Sequence, residues 1–404
     1  MKSFCEKHDP EAGGGVLSPV SAVSLWLMLM MLILCGIGTA FAEEGSPTDE
    51  ALRKIFKNNK TSGAAVVVAK DGEIVYQYHY GWAVKKDKEP ITENTYFRIA
   101  SATKMVTAIH MMQLVEDGLI ALDADLSDAL GYEVQNPYAK KTAVTLRMLM
   151  THTSSLSNKG AFSNVRRGLR SLISTDQPNQ GNWYKETPGS KYRYSNFGAG
   201  VMGSLIESVT GKNVNDSITE SLFAPLGIDA AYSAGLLKNP EDVPDIYNMS
   251  GAMYSSRNNN LTKEWDSAVD PDFHFRITVG SLWIRPTDLC RLGMMLCDGG
   301  TLEGKTVLQP ETVAEMMAEQ QGRNGITAET PYGLCIHHEN SLVEGRTIYG
   351  HQGLTEGMLC NVYYDPQTRF VFVLCTNGSS NHMDHRVIKL SRKVFAVAWD
   401  AFGE

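Results

Sequence analysis

Segments with the composition of β-strands lie near both ends of this chain of 404 residues. Near the N-terminus, 64–70 and 73–80 flank Asp71-Gly72, which is a strong β-hairpin signal. Near the C-terminus, 357–364 and 370–377 form a second pair of candidate strands. Because two strands alone do not make a stable sheet in water, we expect the N-terminal strands to pair with the C-terminal ones.

The remaining segments have helical patterns. One helix is predicted over 101–116 and a last helix over about 383–402, each with an apolar face. The middle, roughly 119–275, contains helical segments joined by long polar loops. The sequence therefore predicts an α/β (α+β) fold in which an antiparallel sheet from both chain ends is flanked by helices and carries an inserted helical lobe. We place this single domain at 63–404, after a linker and first helix at 43–62.

Residues 1–42 have the features of a targeting segment. No charge occurs between Glu11 and Glu43, and the apolar run 23–35 is followed by Ala40-Phe41-Ala42, a pattern that signal peptidase cleaves. Two interpretations remain open: a signal peptide cleaved before Glu43, or an uncleaved signal anchor, since about 20 apolar residues span a bilayer. Both predict a secreted or membrane-anchored extracytoplasmic protein that meets the membrane only through this segment.

The formal net charge of −8 argues against nucleic acid as a partner, because phosphate binding needs clustered Lys and Arg. Of the seven cysteines, five lie beyond the N-terminal segment, and an odd number cannot pair completely. These five lie within or beside apolar runs, where Cys behaves as a small hydrophobic residue. We therefore predict no structural disulfide among them: Cys290, Cys297, Cys335, Cys360 and Cys375.

A Ser-x-x-Lys sequence, Ser101 to Lys104, lies at the start of a predicted helix, where this spacing puts both side chains on one face. A serine hydroxyl is a poor nucleophile and needs an adjacent base. Lysine is a base only when it is neutral, which requires burial or nearby positive charge to lower its pKa. The pair is therefore a candidate nucleophile and base. Taken alone, the four-residue pattern equally fits an ordinary surface helix.

Two further segments strengthen that hypothesis. Tyr194-Ser195-Asn196 precedes a predicted helix, and Gly350-His351-Gln352-Gly353 ends a predicted strand. Together with Ser101-x-x-Lys104 they resemble the three motifs of the penicillin-recognising serine hydrolases, a family of penicillin-binding proteins, DD-peptidases, D-aminopeptidases, class C β-lactamases, and related esterases and acyltransferases. The resemblance covers about 50–400. It implies a β-lactamase/transpeptidase-like fold and a covalent acyl-enzyme, with no cofactor and no metal ion.

The resemblance also implies roles for individual residues. Ser101 would attack the acyl carbon, and Lys104 and Tyr194 would share the acid and base chemistry, which requires a lowered pKa for the Tyr194 phenol. Asn196 would hold Lys104 and the substrate amide, and His351 would lie beside Tyr194. Two residues of the third motif would line the site: Gly353 would admit the substrate backbone, and the N–H of Leu354, with that of Ser101, would form the oxyanion hole.

The third motif departs from the Lys-Thr-Gly of β-lactamases. His351-Gln352-Gly353 is the form expected in DD-carboxypeptidases, D-aminopeptidases and esterases, so an efficient β-lactamase is disfavoured. Leu354 would narrow the pocket, and a carboxylate at Glu356 would repel the free carboxylate of a substrate. We therefore expect a preference for neutral or cationic acyl substrates.

Three functions remain open, each with a small molecule or peptide as acyl donor. The leading one is a peptidase or amidase of the DD-carboxypeptidase or D-aminopeptidase type. The alternatives are an esterase or acyltransferase acting on a small lipophilic molecule, and a non-catalytic penicillin-binding domain.

Two other groups of residues invite a functional interpretation. His337-His338-Glu339 resembles a metal cluster, but without an HExxH motif we interpret it as an exposed strand end. His152 is expected to be a structural hydrogen-bonding residue rather than a catalytic one.

Overall fold

The computed structural model describes residues 45–159, 166–176, 180–263, 265–320, 331–380, 382–384 and 386–404. The predictions for 1–42, a signal peptide or a signal anchor, lie outside these residues. Within the described ranges no helix is long and apolar enough to cross a membrane. Residues Ala42–Glu404 form one compact unit.

A seven-stranded sheet in the order β11-β12-β13-β14-β1-β2-β3 dominates the fold. The strands in the described residues have these bounds: β1 Gly63–Lys70, β2 Glu73–Val84, β3 Glu89–Pro90, β4 Phe97–Arg98, β5 Ala230–Ala231, β6 Ile246–Tyr247, β7 Met253–Ser255, β8 Trp283–Ile284, β9 Thr301–Leu302, β10 Lys305–Thr306, β11 His337–Glu339, β12 Ile348–Thr355, β13 Met358–Asp365, β14 Phe370–Thr376, β15 Met383–Asp384 and β16 Val387–Ile388.

Eleven α-helices occur in the described residues: α1 Pro47–Asn58, α2 Thr103–Glu116, α3 Leu126–Leu130, α4 Leu146–Met150, α5 Arg170–Ile173, α6 Asn196–Thr210, α7 Val214–Ile218, α8 Arg257–Leu261, α9 Pro286–Cys297, α10 Pro310–Met317 and α11 Lys389–Phe402. Between them lie short 3₁₀ segments, of which Ala100–Ala102 and His274–Val279 border the site described below. A π-helical turn, Thr219–Phe223, continues α7.

The two chain ends join in the centre of the sheet, as predicted. β1 pairs antiparallel with β14 on one side and with β2 on the other, and Ala64 lies opposite Thr376. Every residue of β13 and β14 is buried, because both faces of the sheet are covered. A central strand buried on both faces needs a continuous apolar run, which the composition of β14 supplies.

Each face of the sheet packs on a different set of helices. One face buries Leu52 and Phe56 of α1 together with Val394 and Phe395 of α11. The other face packs against α2, α6 and α9 in the larger apolar cluster. Phe56 also contacts Tyr80 of β2, with ring centroids 5.3 Å apart. Helix α1 is therefore part of the same core as the sheet.

Several predicted boundaries near the C-terminus were wrong. β11 begins only at His337 and is preceded by a single bridge between Tyr332 and His337. β12 continues to Thr355, so the third motif lies inside a strand and not at its end. The last helix begins at Lys389, because β15 and β16 occupy the preceding residues.

Candidate active site

Ser101 lies in a sharp turn between β4 and α2. The turn is the 3₁₀ segment Ala100–Ala102, and Ala100 adopts φ +46°, a left-handed conformation that non-glycine residues rarely use. The backbone then enters α2 at Thr103, whose side chain accepts a hydrogen bond from the Leu282 amide. Strained backbone held by its surroundings is common at sites that present a nucleophile.

The Lys104 side chain is completely buried beside the nucleophile. Its Nζ lies 3.0 Å from Ser101 Oγ and donates a hydrogen bond of 2.7 Å to the carbonyl oxygen of Val279. Burial lowers the pKa of Lys104 to about 7, because the charged ammonium loses its hydration. A large fraction of the amines is therefore neutral at neutral pH, and each can accept the Ser101 proton.

Tyr194 completes this group, but its ionisation differs from the prediction. Its hydroxyl is hydrogen-bonded to Ser101, and Lys104 Nζ lies 5.3 Å from its ring centroid. Burial raises the pKa of Tyr194 instead of lowering it. The phenol is therefore protonated at neutral pH, which suits a proton donor, and Lys104 is the candidate base.

The third motif reaches Ser101 through β12. A Cβ atom at Gly353 would lie only 2.0 Å from the carbonyl oxygen of Ile99 and 3.0 Å from the amide nitrogen of Ser101. Glycine is therefore required for the strand to pass this close to the turn that holds the nucleophile. β11 pairs with β12 only as far as Gly350, so from His351 to Thr355 one edge of β12 is free of β11.

The Leu354 side chain does not lie where it was expected. It packs against the apolar cluster between the sheet and helices α1 and α11. Because side chains alternate along a strand, this is the face opposite to that of Gly353. Leu354 therefore contributes its backbone to the region of Ser101, and its side chain does not narrow the pocket.

His351 takes part in a buried hydrogen-bonded chain. Its Nε2 lies 3.2 Å from the Tyr332 hydroxyl, which is also 3.2 Å from Nε2 of His152. At one end, the Ser195 amide donates to His152 Nδ1 at 3.2 Å. At the other end, His351 Nδ1 lies 2.7 Å from the carbonyl oxygen of Gln352.

The Ser195 N–H and the Gln352 carbonyl lie at the two ends of this hydrogen-bonded chain. Together they determine every proton position within it. Because the Ser195 N–H can only donate, His152 carries its proton on Nε2 and donates it to Tyr332. The Tyr332 hydroxyl then donates to His351 Nε2, and His351 Nδ1–H donates to the carbonyl. Burial lowers the pKa of both His152 and His351 well below the usual value, so both rings are neutral. Both ring nitrogens of His351 are therefore engaged in hydrogen bonds within the protein.

The imidazole ring that packs on Tyr194 is His152, at 4.3 Å between ring centroids. The expected structural role of His152 agrees with its hydrogen bonds to Ser195 and Tyr332. Sequence reasoning assigned the place beside Tyr194 to His351, which instead contacts Tyr332 and His337. Tyr332 was not among the predicted site residues, and its position between two histidines had no signal in the sequence.

Asn196 lies at the first residue of α6, next to the Ser195 cap. Its Oδ1 is buried and has no hydrogen-bond partner among the described residues. The described hydrogen bonds of Lys104 go to Ser101 and Val279, so the structure does not show the expected contact between Asn196 and Lys104. The Asn196 oxygen is thus available as an acceptor for a ligand N–H.

The interpretation of His337-His338-Glu339 as an exposed strand end was wrong. His338 is 6% exposed and Glu339 is 4% exposed, because the sheet and the loops around β11 cover them. In the part of the chain that the structure describes, no group of three or more His, Cys, Asp or Glu side chains could hold a metal ion. The five cysteines of the body are free thiols.

A buried lysine paired with a serine on a strand-to-helix turn, beside the open edge of an antiparallel sheet, defines the class of serine hydrolases with a Ser-x-x-Lys nucleophile. The family model described as "Beta-lactamase" matches residues 48–395. The chain therefore belongs to the beta-lactamase family.

Individual relatives in this family carry different names. Esterase EstB of Burkholderia gladioli is 30% identical over 200 residues, which are 45% of this chain and 48% of the esterase. The chain thus spans about half the length of that relative. Penicillin-binding protein 4 of Amycolatopsis lactamdurans is 26% identical over 78% of this chain and 81% of its own length. A family VIII carboxylesterase structure shares the fold at TM-score 0.67 and 19% identity, covering 88% of this chain and 98% of its own.

The lowered pKa of Lys104 predicts how the rate of acylation depends on pH. If the neutral amine is the base, kcat/KM should rise as the pH increases through about 7, because Lys104 loses its proton there. The measurement is a pH profile of kcat/KM with an activated ester. A rate that falls as the pH increases across this range would contradict the assignment. Lys104→Arg, whose guanidinium stays charged, should lose the rising limb together with most of the activity.

Removing the Tyr332 hydroxyl tests the hydrogen-bonded chain. Tyr332→Phe leaves the buried Nε2–H of His152 without its acceptor and His351 Nε2 without its donor, a loss of about 1–3 kcal/mol for each buried group. We expect kcat to fall about tenfold with KM nearly unchanged, because His152 packs on Tyr194. The matched control is Tyr192→Phe, since the Tyr192 ring also packs on His152 but makes no hydrogen bond to a described residue through its hydroxyl. Equal kcat values for the two variants would show that the hydrogen bonds of the Tyr332 hydroxyl do not support catalysis.

Proposed function

We propose that the protein is an exported serine peptidase or amidase of the DD-carboxypeptidase or D-aminopeptidase type, which acts through an acyl-enzyme at Ser101. The observation that carries this proposal is the edge of β12 beside the nucleophile, which pairs with β11 only as far as Gly350 and has no strand partner among the described residues beyond it. An extended peptide can add to such an edge as a further strand and so align one amide bond with the catalytic group.

In the first step, Ser101 Oγ attacks the acyl carbon while its proton passes to the neutral amine of Lys104, 3.0 Å away. The negative charge that develops on the acyl oxygen is stabilised by the amide N–H groups of Ser101 and Leu354, in the manner of an oxyanion hole. The position of Gly353 against the Ser101 amide supports this pairing.

In the second step, the bond from the acyl carbon to the leaving group breaks, and the leaving amine needs a proton. Tyr194 supplies it, because its phenol is protonated and hydrogen-bonded to Ser101. Proton transfer from Lys104 then restores Tyr194. Water hydrolyses the acyl-enzyme by the reverse sequence, releasing the acid and Ser101.

Asn196 supports an amide substrate in particular. A buried oxygen without a partner is unfavourable by roughly 1–3 kcal/mol until a donor reaches it. A substrate amide supplies such an N–H, whereas an ester does not. This difference favours peptide-like acyl donors over esters of similar shape.

A second candidate function is that of an esterase or acyltransferase. The similarity to EstB of Burkholderia gladioli favours it, since that relative is 30% identical over the aligned region. The same Ser101, Lys104 and Tyr194 would serve, because an alkoxide leaving group also accepts a proton. Export is proposed from the features of residues 1–42.

A covalent probe and a substrate panel test this proposal. We expect a fluorophosphonate to label Ser101 in the full chain and to leave the Ser101→Ala variant unlabelled. Among a D-Ala-D-Ala peptide, a D-amino-acid amide, a p-nitrophenyl ester and a chromogenic cephalosporin, the peptide and amide should give the highest kcat/KM relative to the rate without enzyme. Labelling with activity on the ester alone would establish the esterase, and no labelling would refute the catalytic assignment of Ser101.

Glu356 provides a test of charge selectivity. It is exposed in the two-residue turn between β12 and β13, with φ +38°. We expect Glu356→Gln to raise kcat/KM for substrates with a free carboxylate a few-fold relative to their amides, since exposed charge pairs contribute about 0.2–1 kcal/mol. The control is Glu344→Gln, an exposed carboxylate on the loop that enters the other end of β12. An unchanged ratio between the two substrate types would refute a role for Glu356.

A further inference from the structure

A cavity of about 250 Å³ lies beside the active-site turn but is not lined by Ser101, Lys104 or Tyr194. Ile277 and Ser281 form part of its wall. Since about 10–15 Å³ of such volume is enough for one water molecule, the cavity has room for one small organic molecule.

Two cations at this cavity have no ion pair with a described residue. Arg98 uses its Nε to donate to the carbonyl oxygen of Gly280 at 2.9 Å, and its two terminal nitrogens have no hydrogen-bond partner among the described residues. Lys263 lies at the rim, and its ammonium makes no hydrogen bond to the described part of the chain. Both side chains line the same cavity, and burial and the neighbouring charge of Arg98 lower the pKa of Lys263.

A buried hydroxyl also faces this cavity. Ser233 is 7% exposed and lines the wall, and its Oγ has no hydrogen-bond partner among the described residues. A buried hydroxyl is normally satisfied, so an orphan in a cavity wall indicates a ligand atom or water at that position. Arginine and a charged lysine present only donors, and the serine hydroxyl can donate as well, so the three together suit an anion.

The remaining walls determine what kind of anion fits. Trp265 and Trp283 contribute apolar surface, and the Tyr232 hydroxyl is already paired with Thr107 at 2.8 Å. One carboxylate, Asp266, also lines the cavity, and its charge acts on His274. The cavity thus combines one acid and aromatic walls with two cations that have no ion pair among the described residues, which suits a single negative charge on an apolar body.

We propose that this cavity binds a small organic carboxylate, with its charge at Arg98 and Lys263, a hydrogen bond from Ser233 and its carbon skeleton against the two tryptophans. The carboxylate is either a free ligand or the far end of the acyl group of a substrate. The site is coupled to Lys104 through two consecutive carbonyl groups: that of Val279 accepts from Lys104, and that of Gly280 accepts from Arg98.

Close packing makes this coupling stiff. A Cβ atom at Gly280 would lie 3.2 Å from the carbonyl carbon of Ala100, the residue before the nucleophile. A ligand that draws the Arg98 guanidinium toward the cavity therefore acts on the segment that also holds the catalytic amine.

Binding of benzoate to the full chain tests the proposal, with benzamide as a neutral probe of the same shape. Titration calorimetry and the fluorescence of Trp265 and Trp283 report binding. We expect benzoate to bind at least tenfold more tightly than benzamide. Lys263→Gln should weaken benzoate binding about tenfold and Ser233→Ala about fivefold, while Lys141→Gln, an exposed lysine on a distant loop, should not change it. Circular dichroism confirms that each variant is folded.

The outcome separates the two sources of the carboxylate and is independent of the proposed function. If benzoate still binds after Ser101 has been labelled with a fluorophosphonate, the site accepts a free ligand. If labelling blocks benzoate but Lys263→Gln still weakens it in unlabelled protein, the anion belongs to the acyl group of a substrate. No binding of benzoate, equal binding of benzamide, or an affinity unaffected by both variants would overturn the anion site.

Discussion

Burial of a neutral lysine is the interaction on which the active site depends. Lys104 is surrounded by protein, and the hydrogen-bond acceptors described for its amine are the Val279 carbonyl and Ser101 Oγ. Among the described residues no carboxylate lies beside this ammonium, so burial favours the free amine. When one N–H is held by the carbonyl, the nitrogen lone pair can point at Ser101. The close approach of Gly353 brings β12 directly against the turn that holds Ser101.

That environment exists only because the two ends of the chain form one sheet. β1 lies between β14 and β2, and β12 carries the third motif to the Ser101 turn through its pairing with β13. Helices α1 and α11 cover the outer face of the sheet, and the inner face packs on α2, which holds Lys104. The position of the catalytic residues is therefore a property of the whole core and not of the inserted lobe alone.

The sequence predicted the elements of the site better than their contacts. The joining of both chain ends follows from strand patterns and the Asp71-Gly72 turn, and the structure confirms it. Three kinds of feature could not be predicted from the sequence. The Val279 acceptor is a backbone carbonyl, which any residue type supplies. The face on which Leu354 lies depends on strand register, where one residue reverses every side chain. The pKa of Tyr194 depends on burial, which no local pattern specifies.

The hydrogen-bonded chain from His152 to His351 shows that the third motif differs from Lys-Thr-Gly in charge as well as in sequence. His351 is neutral and uses both nitrogens within the protein, so it brings no charge to the site. A positive charge near the third motif comes from a different segment, at Arg386. This charge adds to burial in lowering the pKa of His337 to about 3. Gln352 of the motif holds that segment, because its Nε2 donates to the Arg386 carbonyl at 2.6 Å. The positive charge near the third motif is therefore carried outside β12, by the segment between β15 and β16.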